Sequence, residues 1–163
     1  MPSADFEAYS TSLGLDPRHM RAVPPEPDQR YPLLVFVVPE SVVPLRAQIE
    51  RTGIVLMVVE EKLTLDTERS EAYWIRIDTS RNRGIRPSEV VFSEGERGLT
   101  LAEGIALAAQ YPDMLRERSF DLLGSGYGSE CTPTIYAWEG RVMLSAICSD
   151  VSDAMCGAPT TID

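Results

Sequence analysis

The sequence predicts an α+β fold in one domain: a small mixed β-sheet with packed helices and a C-terminal β-hairpin. Three observations carry this reading. A strand–helix–strand pattern with short loops occupies residues 31–59. An alternating stretch follows at Ala72–Asp78. Two strand-like runs, Thr134–Trp138 and Arg141–Ile147, flank the turn pair Glu139-Gly140. A chain of 163 residues with 44% hydrophobic content is large enough to bury a core without a metal or disulfide staple.

The first twenty residues read as a helix. Ser3 is placed to cap it, Phe6, Tyr9 and Leu13 share one face, and Gly14 stops it. Pro24-Pro25-Glu26-Pro27 then fixes extended geometry. The organisation expected is a helical arm over 1–22, a Pro-rich connector over 23–30 and a main body over 31–163. The arm either packs on the body or serves a homodimer.

Leu33–Val38 is short, β-branched and continuously apolar, as in a strand covered on both faces. Ser41 is expected to cap a helix whose inner side is Val42, Leu45 and Ile49, and Gly53 to end it before a second apolar run, Ile54–Val59. This spacing predicts a right-handed crossover between parallel strands. In Ala72–Asp78, Tyr73, Ile75 and Ile77 alternate with Trp74, Arg76 and Asp78. Thr100 and Glu103 form a capping box for a helix through Leu101, Ile105 and Ala108, which Tyr111-Pro112 terminates; Pro112 opens a short second helix. The tail from Ser149 to Asp163 is small, polar and acidic, and reads as loop.

Charge and composition narrow the function classes. There are 25 acidic and 15 basic residues, for a formal net charge of −10. Such a field repels polyanions, which argues against nucleic acid and anionic membrane as partners. The longest apolar runs have six residues, whereas a membrane span needs roughly 20. The start lacks a basic region followed by an apolar stretch, and three scattered cysteines suit a reducing compartment, so a cytoplasmic setting is expected.

Catalytic signals are sparse. Gly124-Ser125-Gly126-Tyr127-Gly128-Ser129 resembles a phosphate-cradling loop, but it leads into a strand and has no Lys-Ser/Thr pair. Cys131, Cys148 and Cys156 lack the close spacing of zinc ligands, and His19 is the single histidine, so no metal and no cofactor is expected. If the chain is a small enzyme, its nucleophile is Cys131, Ser125 or Ser129 beside an acidic partner. Cys131 follows the glycine loop and is the thiol expected to react. The basic cluster Arg76, Arg81, Arg83 and Arg86 lies close to Tyr73 and Trp74. Residues 76–86 carry a net +3, from four arginines and Asp78. The cluster suits a phosphate, a carboxylate or an acidic partner, or simply ion pairs with the acid-rich remainder.

Several stretches resemble a bacterial family of unknown function: Tyr73–Asp78, Leu99–Leu107, Tyr111–Leu115 and Asp121–Ser125, with Pro133 and Trp138 following in matching order. The resemblance covers residues 73–138. It implies no activity and no catalytic residues. It does imply that Gly124-Ser125 is part of a structural element that ends the helical segment. The reading that follows is a non-catalytic module binding a protein or small-molecule partner through Tyr73, Trp74 and the arginines. The alternative is the small enzyme described above.

Overall fold

The structure is a computed structural model and describes residues 4–20, 22–26, 28–65, 69–148 and 154–162. It is α+β, with three α-helices among the described residues, α1 (Ala4–Ser12), α2 (Leu45–Thr52) and α3 (Leu101–Gln110). The strands are β1 (Leu33–Val37), β2 (Val55–Leu56), β3 (Tyr73–Asp78), β4 (Glu96–Gly98) and β5 (Ser119–Asp121), then β6 (Thr132–Trp138), β7 (Arg141–Ile147), β8 (Cys156–Gly157) and β9 (Thr160–Ile162). They divide between two sheets. One is antiparallel with order β1-β3-β9-β4, and the other is mixed with order β2-β7-β6-β5-β8. Among the described residues no helix is long and apolar enough to cross a membrane.

Helix α3 is the element both sheets share, since it touches β1 of the first and β6 of the second as well as α1 and α2. Its sequence, LAEGIALAAQ, is apolar all round, which suits a helix packed on every side. Leu101, Ile105, Ala106 and Leu107 are buried to within 1%. Gly104 admits Leu122 from the segment after β5: a Cβ there would lie 2.5 Å from Leu122 Cδ2. At its end, Gln110 donates from Nε2 to the Phe36 carbonyl (2.7 Å) and accepts the Phe36 N–H at Oε1 (3.1 Å). The side-chain amide thus occupies the free edge of β1 as a neighbouring strand would.

The capping box is present, and it extends beyond the helix. Glu103 is fully buried. Its carboxylate accepts the Thr100 N–H (2.7 Å), two N–H groups of the Arg97 guanidinium (2.7 Å each) and the Tyr73 hydroxyl (3.1 Å). A buried charge is tolerable when it is paired and its lone pairs are filled, and both conditions hold. Tyr73, Ile75 and Ile77 therefore form the α3 side of β3. Trp74 faces the other way and packs with Phe36 of β1 and Phe6 of α1, with ring centroids 4.8–5.0 Å apart.

The Glu139-Gly140 hairpin forms as expected, with both residues at positive φ, the geometry that matches the twist of flanking strands. Three expectations are corrected. The 31–59 unit is not a crossover within one sheet: β1 pairs antiparallel with β3, while β2 pairs parallel with β7 in the other sheet. Ser41 does not cap α2, because its hydroxyl donates to the Arg69 carbonyl (2.6 Å) and the helix starts one turn later behind Pro44. The tail is not all loop. Thr160–Ile162 is a buried strand between β3 and β4, and the Thr161 hydroxyl donates to the Arg76 carbonyl (2.9 Å). The proposed cap Ser3 lies outside the described residues.

Gly124 supplies a test of the packing. A Cβ at this position would lie 2.6 Å from the Gly98 carbonyl oxygen and 2.8 Å from Leu99 backbone atoms, which have no rotamer to relieve the clash. Gly124→Ala is expected to lower stability by about 1–3 kcal/mol in urea unfolding. Ser129→Ala, at an exposed loop position, is expected to stay within about 0.5 kcal/mol of the parent.

Candidate functional site

The Pro-rich connector and the residues at its two ends are held against the first sheet at three points. The Trp74 indole N–H donates to the Ala22 carbonyl (3.0 Å). Farther along, Arg76 pairs with Asp28 at 3.4 Å. At the entry to the body the Tyr31 hydroxyl donates to the Glu96 carboxylate of β4. Proline fixes the direction of the chain between these points, so few contacts suffice to define its course.

Two adjoining cavities lie where the connector meets the body. One, of 380 Å³, is bounded by Leu15, Met20 and Ala22 from the N-terminal arm and by Val42 and Ser70–Ala72 from the body. The other, of 260 Å³, continues past Ala22 and Ala72 along Trp74 to Arg76. Ala22 and Ala72 border both, so the two form one elongated groove with an apolar middle. Its polar side chains are Ser70 and Glu71, which line the first cavity, and Arg76, which lines the second.

The electrostatics beyond Arg76 centre on Glu96. Its carboxylate accepts the Tyr31 hydroxyl and the Ser93 N–H (2.8 Å) and pairs with Arg81. These contacts, the Tyr31 hydrogen bond above all, hold Glu96 at about 2 against an ordinary 4.5, although its burial opposes the shift. Arg81 bridges Glu96 to Asp78 (3.1 Å), which also accepts the Ser80 N–H at 2.7 Å.

The residues singled out from the sequence do not form one patch. Arg76 and Arg81 are in the ion pairs just described, the Arg83 Nε–H donates to the Ala154 carbonyl (3.2 Å), and Arg86 faces Glu89 at 4.0 Å. Each arginine has its own partner. Tyr73 and Trp74 point to opposite faces of β3, as strand alternation requires. Burial and the adjacent Glu103 push the Tyr73 hydroxyl well above its ordinary range. Of these residues Tyr73, Trp74 and Arg76 border the groove, and Arg81, Arg83 and Arg86 do not.

Two of the three nucleophile candidates, Cys131 and Ser125, have structural roles. Cys131 is joined to Cys148 by a disulfide, which corrects the expectation of a reactive Cys131 thiol and of three reduced cysteines. The two sit opposite each other just beyond the β6–β7 ladder, a relation that sequence spacing does not display. The Ser125 hydroxyl accepts the Leu101 N–H (2.9 Å) and so satisfies an orphan donor at the start of α3. Ser129 is exposed and lies outside the groove. The side chain of His19 falls outside the described part of the structure. Among the described residues no group of three His, Cys, Asp or Glu side chains is placed to hold a metal.

Leu15, Met20 and Ala22 have no signature in the sequence beyond the proline run that follows them, and Val42, expected on the inner side of a helix, is instead 40% exposed at the groove. No family model matches the chain, and no curated protein or solved structure is significantly similar to it.

The Tyr31–Glu96 contact predicts a pH effect. Because the Glu96 pKa is lowered on folding, its contribution to stability is present above pH 4.5 and is lost as the pH falls through about 2. In urea unfolding from neutral pH downwards, Tyr31→Phe should be less stable than the parent above pH 4.5, and the gap should narrow towards pH 2. A gap that does not vary with pH would show that the hydrogen bond does not set this titration.

Proposed function

We propose that this chain is a non-catalytic binding module, and that its ligand is a small, mostly apolar molecule seated in the groove between the connector and β3. The observation that carries the reading is the pair of cavities meeting at Ala22 and Ala72 beside the Trp74 ring. Ligand pockets of small molecules commonly occupy roughly 300–1,000 Å³, apolar for most of their lining with a few polar groups that fix orientation. Leu15, Met20, Val42 and the Trp74 ring supply the apolar surface, Ser70 and Glu71 polar groups in the first cavity, and Arg76 one in the second. The connector forms one wall, so a ligand here would also fasten it to the body. The reading favours binding over catalysis because the Cys131 sulfur and the Ser125 hydroxyl are engaged in holding the fold, and Ser129 is exposed away from the groove.

The indole of Trp74 gives the test a built-in reporter. Trp138 is 63% exposed and would mask it, so the titration uses a Trp138→Phe protein. An apolar fluorophore, 1-anilinonaphthalene, should change Trp74 emission saturably at one site per chain. Ala22→Phe in the same background places a ring at the junction of the cavities and should weaken binding at least about tenfold, or about 1.4 kcal/mol, with the far-ultraviolet circular dichroism unchanged. No saturable response, or equal affinity in the Ala22→Phe protein, rejects the groove as the site.

A further inference from the structure

The β6–β7 ladder runs from Trp138↔Arg141 to Thr132↔Ile147, so Cys131 and Cys148 are the next opposed pair at its open end. Their Cα atoms are 4.1 Å apart, the close spacing of a pair without mutual backbone hydrogen bonds. The backbone of Cys131 is used elsewhere: its N–H donates to the Tyr127 carbonyl (3.3 Å) and its carbonyl accepts the Tyr127 N–H (2.9 Å). The sulfur bridge is therefore what joins the Gly124–Cys131 loop to the end of β7.

That loop holds two other parts of the molecule. The Gly128 N–H donates to the Lys62 carbonyl and the Thr64 N–H to the Gly126 carbonyl, both at 2.8 Å, and Tyr127 bridges to Leu63. At the other end Ser125 accepts from the first turn of α3. The two sulfurs differ in access, since Cys148 is exposed and Cys131 half-buried.

We propose that the Cys131–Cys148 bridge is a thiol–disulfide exchange site for a dithiol reductant, attacked at Cys148, and that its opening loosens the Gly124–Cys131 loop and the Lys62–Thr64 segment bonded to it. A thiolate of the dithiol attacks Cys148 Sγ. The Cys131–Cys148 bond breaks, and its electron pair leaves on Cys131 Sγ, which takes up a proton. The second thiol of the reductant then attacks the mixed disulfide. The reductant departs as its own disulfide, and Cys148 is left as a thiol. Two electrons pass from the dithiol to the bridge. The β6–β7 ladder is closed by its own turn and backbone bonds and persists, so the effect is confined to the loop side.

A dithiol reductase whose second active-site cysteine is replaced by serine stops at the mixed disulfide and reports which sulfur was attacked. Incubated with the folded, oxidised protein, it should form a covalent one-to-one complex, and peptide mass spectrometry should place the link at Cys148. Hydrogen exchange on protein reduced with dithiothreitol should show lost protection at Lys62–Thr64 and Ser125–Cys131, while β1 and β3 keep theirs. The melting temperature should fall by roughly 6–12 °C on reduction, as loop-closure entropy predicts for a ring of this size in a chain of this length. A complex that forms only in denaturant, a link at Cys131, or unchanged exchange in the two segments overturns the proposal.

Discussion

Glu103 is the group on which the arrangement of the first sheet against α3 depends. One carboxylate receives hydrogen bonds from the helix it caps, from Arg97 at the β4 end and from Tyr73 on β3. In a buried setting such a network is favourable only when every member is satisfied, and removing one partner leaves a desolvated charge behind. The constraint is therefore mutual. The register of β3 and β4, both paired to β9, must bring Tyr73 and Arg97 to the same point, and α3 must begin at Leu101, behind its cap Thr100, for its third residue to meet them. The bare backbones of Gly98 and Gly124 pass within contact distance just beside this network, and Ser125 completes the helix start from the other side.

From this centre the roles of the glycine loop and of the arginines follow. A loop with three glycines in five residues resembles an anion cradle in composition, but here its backbone is spent on close packing, on hydrogen bonds to residues 62–64 and on the approach to α3. The arginines between residues 76 and 86 form a basic cluster in sequence. In space the acidic residues of distant segments meet them one at a time: Asp28 before β1 reaches Arg76, and Glu96 of β4 reaches Arg81. With 25 acids against 15 bases, such dispersal is the expected outcome of folding. The groove beside β3 has one wall borrowed from the segment that Trp74 holds at Ala22.

Elements whose cause is local were legible in the sequence. The capping box of Thr100 and Glu103, the positive-φ turn at Glu139-Gly140, the stop at Gly53 and the alternation of residues 73–78 each arise within one or two turns of chain, and each is present. The α+β class follows from their sum. What failed was of another kind. The three residues of β9 have no periodicity of their own and become a strand because β3 and β4 lie on either side. The apolar runs of β1 and β2 announce buried strands, yet nothing in either run says that they enter different sheets.

The candidate site divides in the same way. By itself the sequence determined that the chain is acidic, has an aromatic pair beside a basic run, and carries a proline-stiffened segment after an amphipathic start. Only the tertiary structure decided that Tyr73 and Trp74 serve opposite faces, that Cys131 meets Cys148 across a hairpin, and that Leu15, Met20 and Ala22 border one groove with Ala72, Trp74 and Arg76. The physical reason is range. Caps, turns and alternation are set by neighbours along the chain, whereas strand pairing, disulfide partners and cavity walls are set by which distant segments bury their surfaces together.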